Sequence, residues 1–157
     1  METLKIRKAT KNDAALLAEF RYRMFRDMDP EKDFSRVKAG FVRRSREYYA
    51  KHIGGKNQYD CLAIMDGRAV GCGSILFWDR PPHIGHLENS MGYILNVYVE
   101  HEYRRKGISK AIMARLHDEA RKRGMRKIGL HTSRYGYPVY RSMGYATNKI
   151  YLEYDLR

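Results

Sequence analysis

Tyr93-Ile94-Leu95-Asn96-Val97-Tyr98-Val99, followed closely by Tyr103-Arg104-Arg105-Lys106-Gly107-Ile108-Ser109-Lys110, is the stretch that decides the fold. The first run is β-branched and aromatic and reads as a strand. After the second, Ile108, Ala111, Ile112, Leu116 and Ala120 recur at helical spacing, and Gly124 is placed to end the helix. A basic, glycine-bearing turn therefore joins a strand to a helix. Such a junction directs unpaired backbone N–H groups and the positive end of a helix dipole at one spot. That spot suits phosphate oxygens. Gly107 has no Cβ to hold a ligand away. Arg104, Arg105, Lys106 and Lys110 add charge. A solvated basic corner has the same composition, so spacing alone leaves both readings open. The patterns GxxxxGK[ST] and GxGxxG are absent, which excludes a Walker loop and a dinucleotide fingerprint.

Upstream, Leu4-Lys5-Ile6-Arg7-Lys8 alternates as a short strand does. Thr10 to Asp13 has the form of a capping box. Leu16, Leu17, Phe20, Met24, Phe25 and Met28 then follow at helical spacing, and the helix must stop before Asp29-Pro30. A second helix begins near Ser35, with Val37, Phe41, Tyr48, Tyr49 and His52 as its apolar face and Gly54-Gly55 at its end. Tyr59–Met65 and Ala69–Trp78 read as two strands joined at Asp66-Gly67, a hairpin signal. Gly71 and Gly73 mark a bulge or a close neighbour. Pro81 to His86 is a loop.

Downstream, residues 126–132 read as another strand, parallel to the central one because a helix intervenes. A short helix over Tyr137–Ser142 ends at Gly144. Tyr145 and Ile150–Leu156 form a last strand. The layout is mixed α/β, with helices on both faces of one sheet.

The chain has 157 residues, enough for one domain with a real core, and we read 1–157 as that domain. No apolar run is long enough to span a membrane, and the first residues lack a signal-peptide apolar region. Cys61 and Cys72, lacking CxxC spacing, suggest neither a disulfide framework nor a metal site. They read as small hydrophobes in a cytoplasmic protein. The net charge of +13 is unusual. Its basic residues are spread along the chain without aromatic interleaving, which favours a solvated basic surface over a nucleic-acid face.

Val97-Tyr98-Val99 followed by Arg104-x-x-Gly107-x-Ser109 resembles motif A of the GCN5-related N-acetyltransferases, the GNAT superfamily, whose pattern is Q/R-x-x-G-x-G/A. Pro138-Val139-Tyr140-Arg141-Ser142-Met143-Gly144-Tyr145 resembles the family's closing signature, roughly FYEKLGF. The two occur in the right order and at the right separation. The resemblance implies a single, mostly antiparallel mixed sheet. It implies acetyl-CoA as cosubstrate and a primary amine, on a small molecule or a peptide, as acceptor.

By the same resemblance, the N–H groups from Arg105 to Ser109, with Arg104 or Arg105, Lys106 and Lys110, hold the diphosphate. Val97, Tyr98 and Val99 line the cofactor. The Val97 or Tyr98 N–H faces the thioester carbonyl, where such a donor is worth about 3 kcal/mol. Ser109 replaces the usual Gly or Ala and can donate its hydroxyl to a phosphate. Ser133 stands where relatives have a cofactor-contacting asparagine. Tyr140 matches the residue that returns a proton to the leaving thiolate, which a phenol near pKa 10 can do for a thiol near 8.5. Glu88 is the candidate base, and Asn96 is a candidate for orienting substrate or water. His83, His86 and His131 can also accept a proton. The first two helices and their loop cover the acceptor side, with Phe25, Met28, Asp29 and Glu31, and Tyr48 and Tyr49 nearby.

Neither cysteine sits in a nucleophile setting, so direct transfer in a ternary complex is expected. Two other classes stay open: a GNAT-like module that holds acyl-CoA without turnover, and a basic protein whose turn contacts nucleic-acid phosphates. The oligomeric state also stays open, with a homodimer the form the family suggests.

Overall fold

The computed structural model describes residues 3–85, 87, 90–148 and 152–156. Asp66 and Gly67 both adopt left-handed backbone, with φ of 49° and 83°. They fold β2 (Gln58–Met65) back onto β3 (Arg68–Asp79), as the Asp-Gly signal predicts. With β1 (Leu4–Lys8), β4 (Ser90–Val99) and β5 (Ile128–Leu130) they form one sheet in the order β1-β2-β3-β4-β5. The first three pairings are antiparallel, and β4 with β5 is parallel.

Helices cover both faces. Asp13 fixes the start of α1 (Ala14–Met28): its Oδ2 accepts the Thr10 N–H at 2.7 Å, and Arg7 donates twice to the carboxylate, at 2.8 Å each. That bonding, led by Arg7, pulls the Asp13 carboxyl down to about 2. α2 (Ser35–His52) runs back beside α1. Leu17, Phe20 and Tyr49 from these helices bury against Leu62, Cys72 and Tyr98 of the sheet. On the other face, α3 (Ile108–Lys122) buries Ile108, Ile112, Met113 and Leu116 against Cys61, Ala63, Ile75 and Val99. Fully burying each such aliphatic side chain stabilises the fold by roughly 2 kcal/mol.

The glycines of β3 make the close packing on α3 possible. A Cβ on Gly73 would lie 2.4 Å from Ile112 Cγ2, and one on Gly71 would lie 2.6 Å from the Tyr98 carbonyl oxygen. The close neighbour predicted at these glycines is thus a helix on one and a strand on the other. α4 (Tyr137–Ser142) follows β5, and Tyr140 packs beside the α3 core.

Two expected elements differ. Tyr145 is not in a strand: its hydroxyl lies 2.7 Å from His117 Nε2. The described part of the last expected strand has no strand pairing, and Leu152, Tyr154 and Leu156 are 91%, 88% and 90% exposed. Ile150 and Tyr151 lie outside the described residues. An alternating pattern predicts a conformation, but a strand is stable only with a partner edge, and the pattern does not supply one. β5 is also shorter than predicted, three residues instead of seven, because its pairing with β4 stops at Leu130. Among the described residues, no helix is long and apolar enough to cross a membrane.

Candidate active site

The site begins with a break in the sheet. Cys72 pairs with Tyr98 and Ser74 with Leu95, so Asn96 and Val97 together oppose Gly73 alone. This is a β-bulge. Asn96 takes the left-handed conformation, φ 56°, which asparagine tolerates better than most residues. β4 pairs with β5 only from Gly92 to Ile94. Beyond Ile94 the two parallel strands part. A cavity of about 640 Å³ occupies the gap, lined by Val97 and Val99 of β4, the start of α3, and Ser133, Val139 and Tyr140. This volume is typical of a ligand cleft.

Gly107 caps α3 with φ 79°, and Arg105 two residues earlier has φ 62°. Left-handed residues alternating this way curl the backbone into an anion-binding concavity. The first intrahelical bond is Ala111 N–H to Gly107 C=O at 3.1 Å. The N–H groups of Ile108, Ser109 and Lys110 therefore have no helical acceptor, and all three residues line the cleft with Arg104, Arg105 and Gly107.

The basic side chains divide their work. Arg104 donates Nε–H to the Val99 carbonyl at 2.9 Å and Nη2–H to Asp27 at 2.5 Å. Its guanidinium braces the turn against β4 and α1. Lys106 places its Nζ 5.5 Å from the centre of the Tyr103 ring and does not line the cleft. Arg105 and Lys110 are the cleft-lining cations without such a structural bond among the described residues.

Tyr140 faces the cleft from α4. Its ring meets Tyr145 edge-on, with centroids 5.8 Å apart, and burial raises its pKa above the ordinary 10. The phenol hydroxyl makes no hydrogen bond within the described residues, so it is free to donate into the cleft. Gly136 leaves room for it: a Cβ there would lie 2.9 Å from the Tyr140 ring. Ser133 lines the cleft while its Oγ accepts the Gly136 N–H at 3.2 Å. The hydroxyl thus shapes the loop that carries Tyr140.

Other candidates stand elsewhere. The Asn96 side chain is buried on the α1/α2 side, its Nδ2 3.6 Å from Cys72 Sγ, and does not line the cleft. Its visible role is the bulge. The Tyr98 ring packs on Phe20, centroids 5.5 Å apart. Of Val97 and Tyr98, Val97 is the one that lines the cleft. Glu88 and His86 lie outside the described residues. The His83 ring accepts the Gly85 N–H at 2.9 Å, and His131 hydrogen-bonds the Tyr93 hydroxyl.

Of the acceptor-side residues, Met28 lines the cleft, while Phe25 packs edge-on against Phe41, centroids 5.7 Å apart. Tyr49 is fully buried. Met24 and Asp27 of α1 and Tyr135, just before α4, also line the cleft; the sequence pattern did not point them there, since they meet the cleft only through tertiary packing.

The sequence matches the model of the acetyltransferase (GNAT) family over residues 19–147. It is similar to a predicted acetyltransferase from Clostridium acetobutylicum, solved with acetyl-CoA, at 28% identity and a TM-score of 0.84, covering 98% of this chain and 96% of that one. It is also similar to a GCN5-related N-acetyltransferase from Ralstonia eutropha, at 25% identity and a TM-score of 0.85, covering 98% and 99%. Glucosamine-6-phosphate N-acetyltransferase from Arabidopsis thaliana shares the fold at 21% identity and a TM-score of 0.69, covering 99% of this chain and 100% of that one. No curated protein sequence matches significantly.

Proposed function

Because the chain belongs to the acetyltransferase (GNAT) family, we propose that it moves the acetyl group of acetyl-CoA directly to a primary amine within a ternary complex. One observation carries the reading: a single cleft holds the unpaired N–H groups at the start of α3 and the free hydroxyl of Tyr140. The first suit a diphosphate and the second a leaving thiolate. The neighbour from Clostridium acetobutylicum was crystallised with acetyl-CoA, which supports the same cosubstrate here.

The residues have separable roles. The N–H groups of Ile108 to Lys110, with Arg105, hold the diphosphate. The Val97 N–H faces the carbonyl oxygen as the amine nitrogen attacks. The C–N bond forms, the C–S bond breaks, and Tyr140 gives its proton to the departing sulfur. The proton lost by the amine passes to a base or to water. Both cysteines are buried, and burial pushes the Cys61 thiol up to about 12. Neither can serve as an acetyl carrier, which favours direct transfer.

Calorimetric titration with acetyl-CoA, followed by thiol release over a panel of amines, tests the reading. Binding with release is expected. Binding without release for every amine would favour a carrier module, and no binding would remove the diphosphate assignment.

A further inference from the structure

A separate cavity, of about 320 Å³, opens where the last turn of α2 meets the start of β2 and the end of β3. It shares no lining residue with the active-site cleft. Tyr48, His52 and Trp78 bring rings to it, and Lys51, Lys56 and Asn57 bring polar groups. Trp78 and Tyr48 are large rings, yet 41% and 39% exposed. Exposed rings gathered around a concavity mark a ligand site more than a folding core.

These rings are fixed in place. Tyr48 stacks on His52, one helical turn away, with centroids 4.4 Å apart and planes inclined by 30°. It meets Tyr49 edge-on, centroids 5.5 Å apart. Its hydroxyl donates to Gln58 Oε1 at 2.7 Å. Gln58 donates in turn through Nε2 to Asp60 at 2.9 Å, and Ser74 Oγ donates to the same carboxylate at 2.6 Å. Gln58, Asp60 and Ser74 are all buried, so this chain of bonds anchors the phenol from behind. Trp78 is backed by Tyr93, centroids 5.6 Å apart and planes 30° apart. A ring held this way, and still partly open to solvent, can stack on a ligand with little further ordering cost.

Charge and hydrogen-bonding capacity narrow the ligand. The lining includes two lysines and no carboxylate, which favours an anion. The open rings favour a flat partner. Asn57 is exposed, and its amide carries both donors and an acceptor, which suits the edge of a heterocycle. A base with its sugar and phosphate meets all three conditions. Along the sequence the cations are dispersed, but the fold sets Lys51 and Lys56 around Tyr48 and Trp78. Arg44 is exposed one helical turn before Tyr48, on the same side of α2, and extends the positive surface beyond the cavity.

We propose that this cavity binds one nucleotide unit, its base stacked beside Tyr48 and Trp78 and its phosphate on Lys51 and Lys56. The site is independent of the acetyltransferase cleft. A free nucleotide and a single-stranded nucleic acid present the same chemistry, and a nucleic-acid strand brings further phosphates for Arg44.

Trp78 is the chain's single tryptophan, so its fluorescence reports on the site. The experiment titrates the protein with AMP and with a short single-stranded RNA oligonucleotide, each with and without enough acetyl-CoA to fill the cleft. Saturable quenching is expected in both conditions. The double variant Lys51→Gln/Lys56→Gln is expected to weaken that binding about tenfold, the loss of charge-assisted bonds to phosphate, while acetyl-CoA affinity by calorimetry stays the same. RNA binding at least about tenfold tighter than AMP, and falling steeply with salt, identifies a nucleic-acid strand as the ligand. Equal affinities identify the free nucleotide. Emission unaltered by high concentrations of both ligands overturns the proposal. So does quenching that the double variant leaves intact, or that acetyl-CoA abolishes when it fills the cleft.

Discussion

The two sides of β4 are built from different materials. Toward α3 the cleft is made of backbone: the bulge at Asn96, the left-handed Arg105 and Gly107, and the open N–H groups of α3. Toward α2 the surface is made of side chains: Tyr48, His52, Trp78 and Tyr93. A backbone site needs a few residues with special conformations and tolerates almost any others. A side-chain site changes with every substitution. The first kind fits a cosubstrate shared by many enzymes, and the second can differ from one member to the next. The neighbour at 28% identity keeps the fold over 98% of this chain, which a backbone-built cleft permits.

Tyr140 is the exception on the α3 side, a side chain to which the proposed reaction gives a chemical task. Replacing it with phenylalanine gives the largest expected effect. Turnover should fall by about a hundredfold or more, the usual contribution of a positioned proton donor, while acetyl-CoA affinity stays the same by calorimetry. Burial raises the Tyr140 pKa above 10, so the phenol keeps its proton through neutral pH. Any alkaline loss of rate due to Tyr140 should therefore lie above pH 10, and the phenylalanine variant should lack it. An unchanged turnover number would remove Tyr140 from the mechanism.

The backbone side should break when a Cβ is added. Gly73→Ala forces a methyl into Ile112, whose Cγ2 would be 2.4 Å away. Overpacking of this kind costs about 1–3 kcal/mol, to be read in chemical denaturation. Gly107→Ala meets no atom within 4 Å, so its penalty is conformational, about 1–2 kcal/mol for a left-handed alanine. Acetyl-CoA affinity should drop roughly five- to thirtyfold, with the remaining fold intact by circular dichroism. If Gly107→Ala binds normally, the turn is not a backbone-built phosphate site.

The same contrast explains what the sequence made legible. Periodicity located α1 and α3, because each buries a stripe with helical spacing; it also located α2, of whose expected apolar face only Tyr49 is buried. Asp66-Gly67 located the hairpin because few dipeptides accept two left-handed residues in succession. Gly107 marked the turn for the same reason. Local pattern did not reveal the long-range partners. Arg104 reads as one more phosphate-binding cation, but its partner Asp27 is 77 residues away. Asn96 reads as a catalytic polar group, and its place is explained by a bulge that depends on Gly73 in another strand. Trp78, Tyr93 and His131 come together only through register across β3, β4 and β5. The described part of the last expected strand lacks pairing for the same reason, since pairing is not a property of the segment alone.

Arg104 provides the smallest effect and the finest test. If it braces the turn, its loss should appear in stability and not in the electrostatics of binding. Arg104 and Asp27 are partly exposed, at 39% and 23%, so the pair is worth less than about 1 kcal/mol, or roughly 2–4 °C in Tm at this chain length. Arg104→Gln and Asp27→Asn should each lower Tm by that order, and the double variant should lose little more, because both remove one interaction. The salt dependence of acetyl-CoA binding should stay the same in all three. Arg105→Gln should do the opposite, leaving Tm alone while weakening binding and flattening its salt dependence, since an exposed cation acts on a diphosphate through a screened field. A flattened salt dependence in Arg104→Gln would return Arg104 to the set of phosphate ligands and leave the turn without its brace.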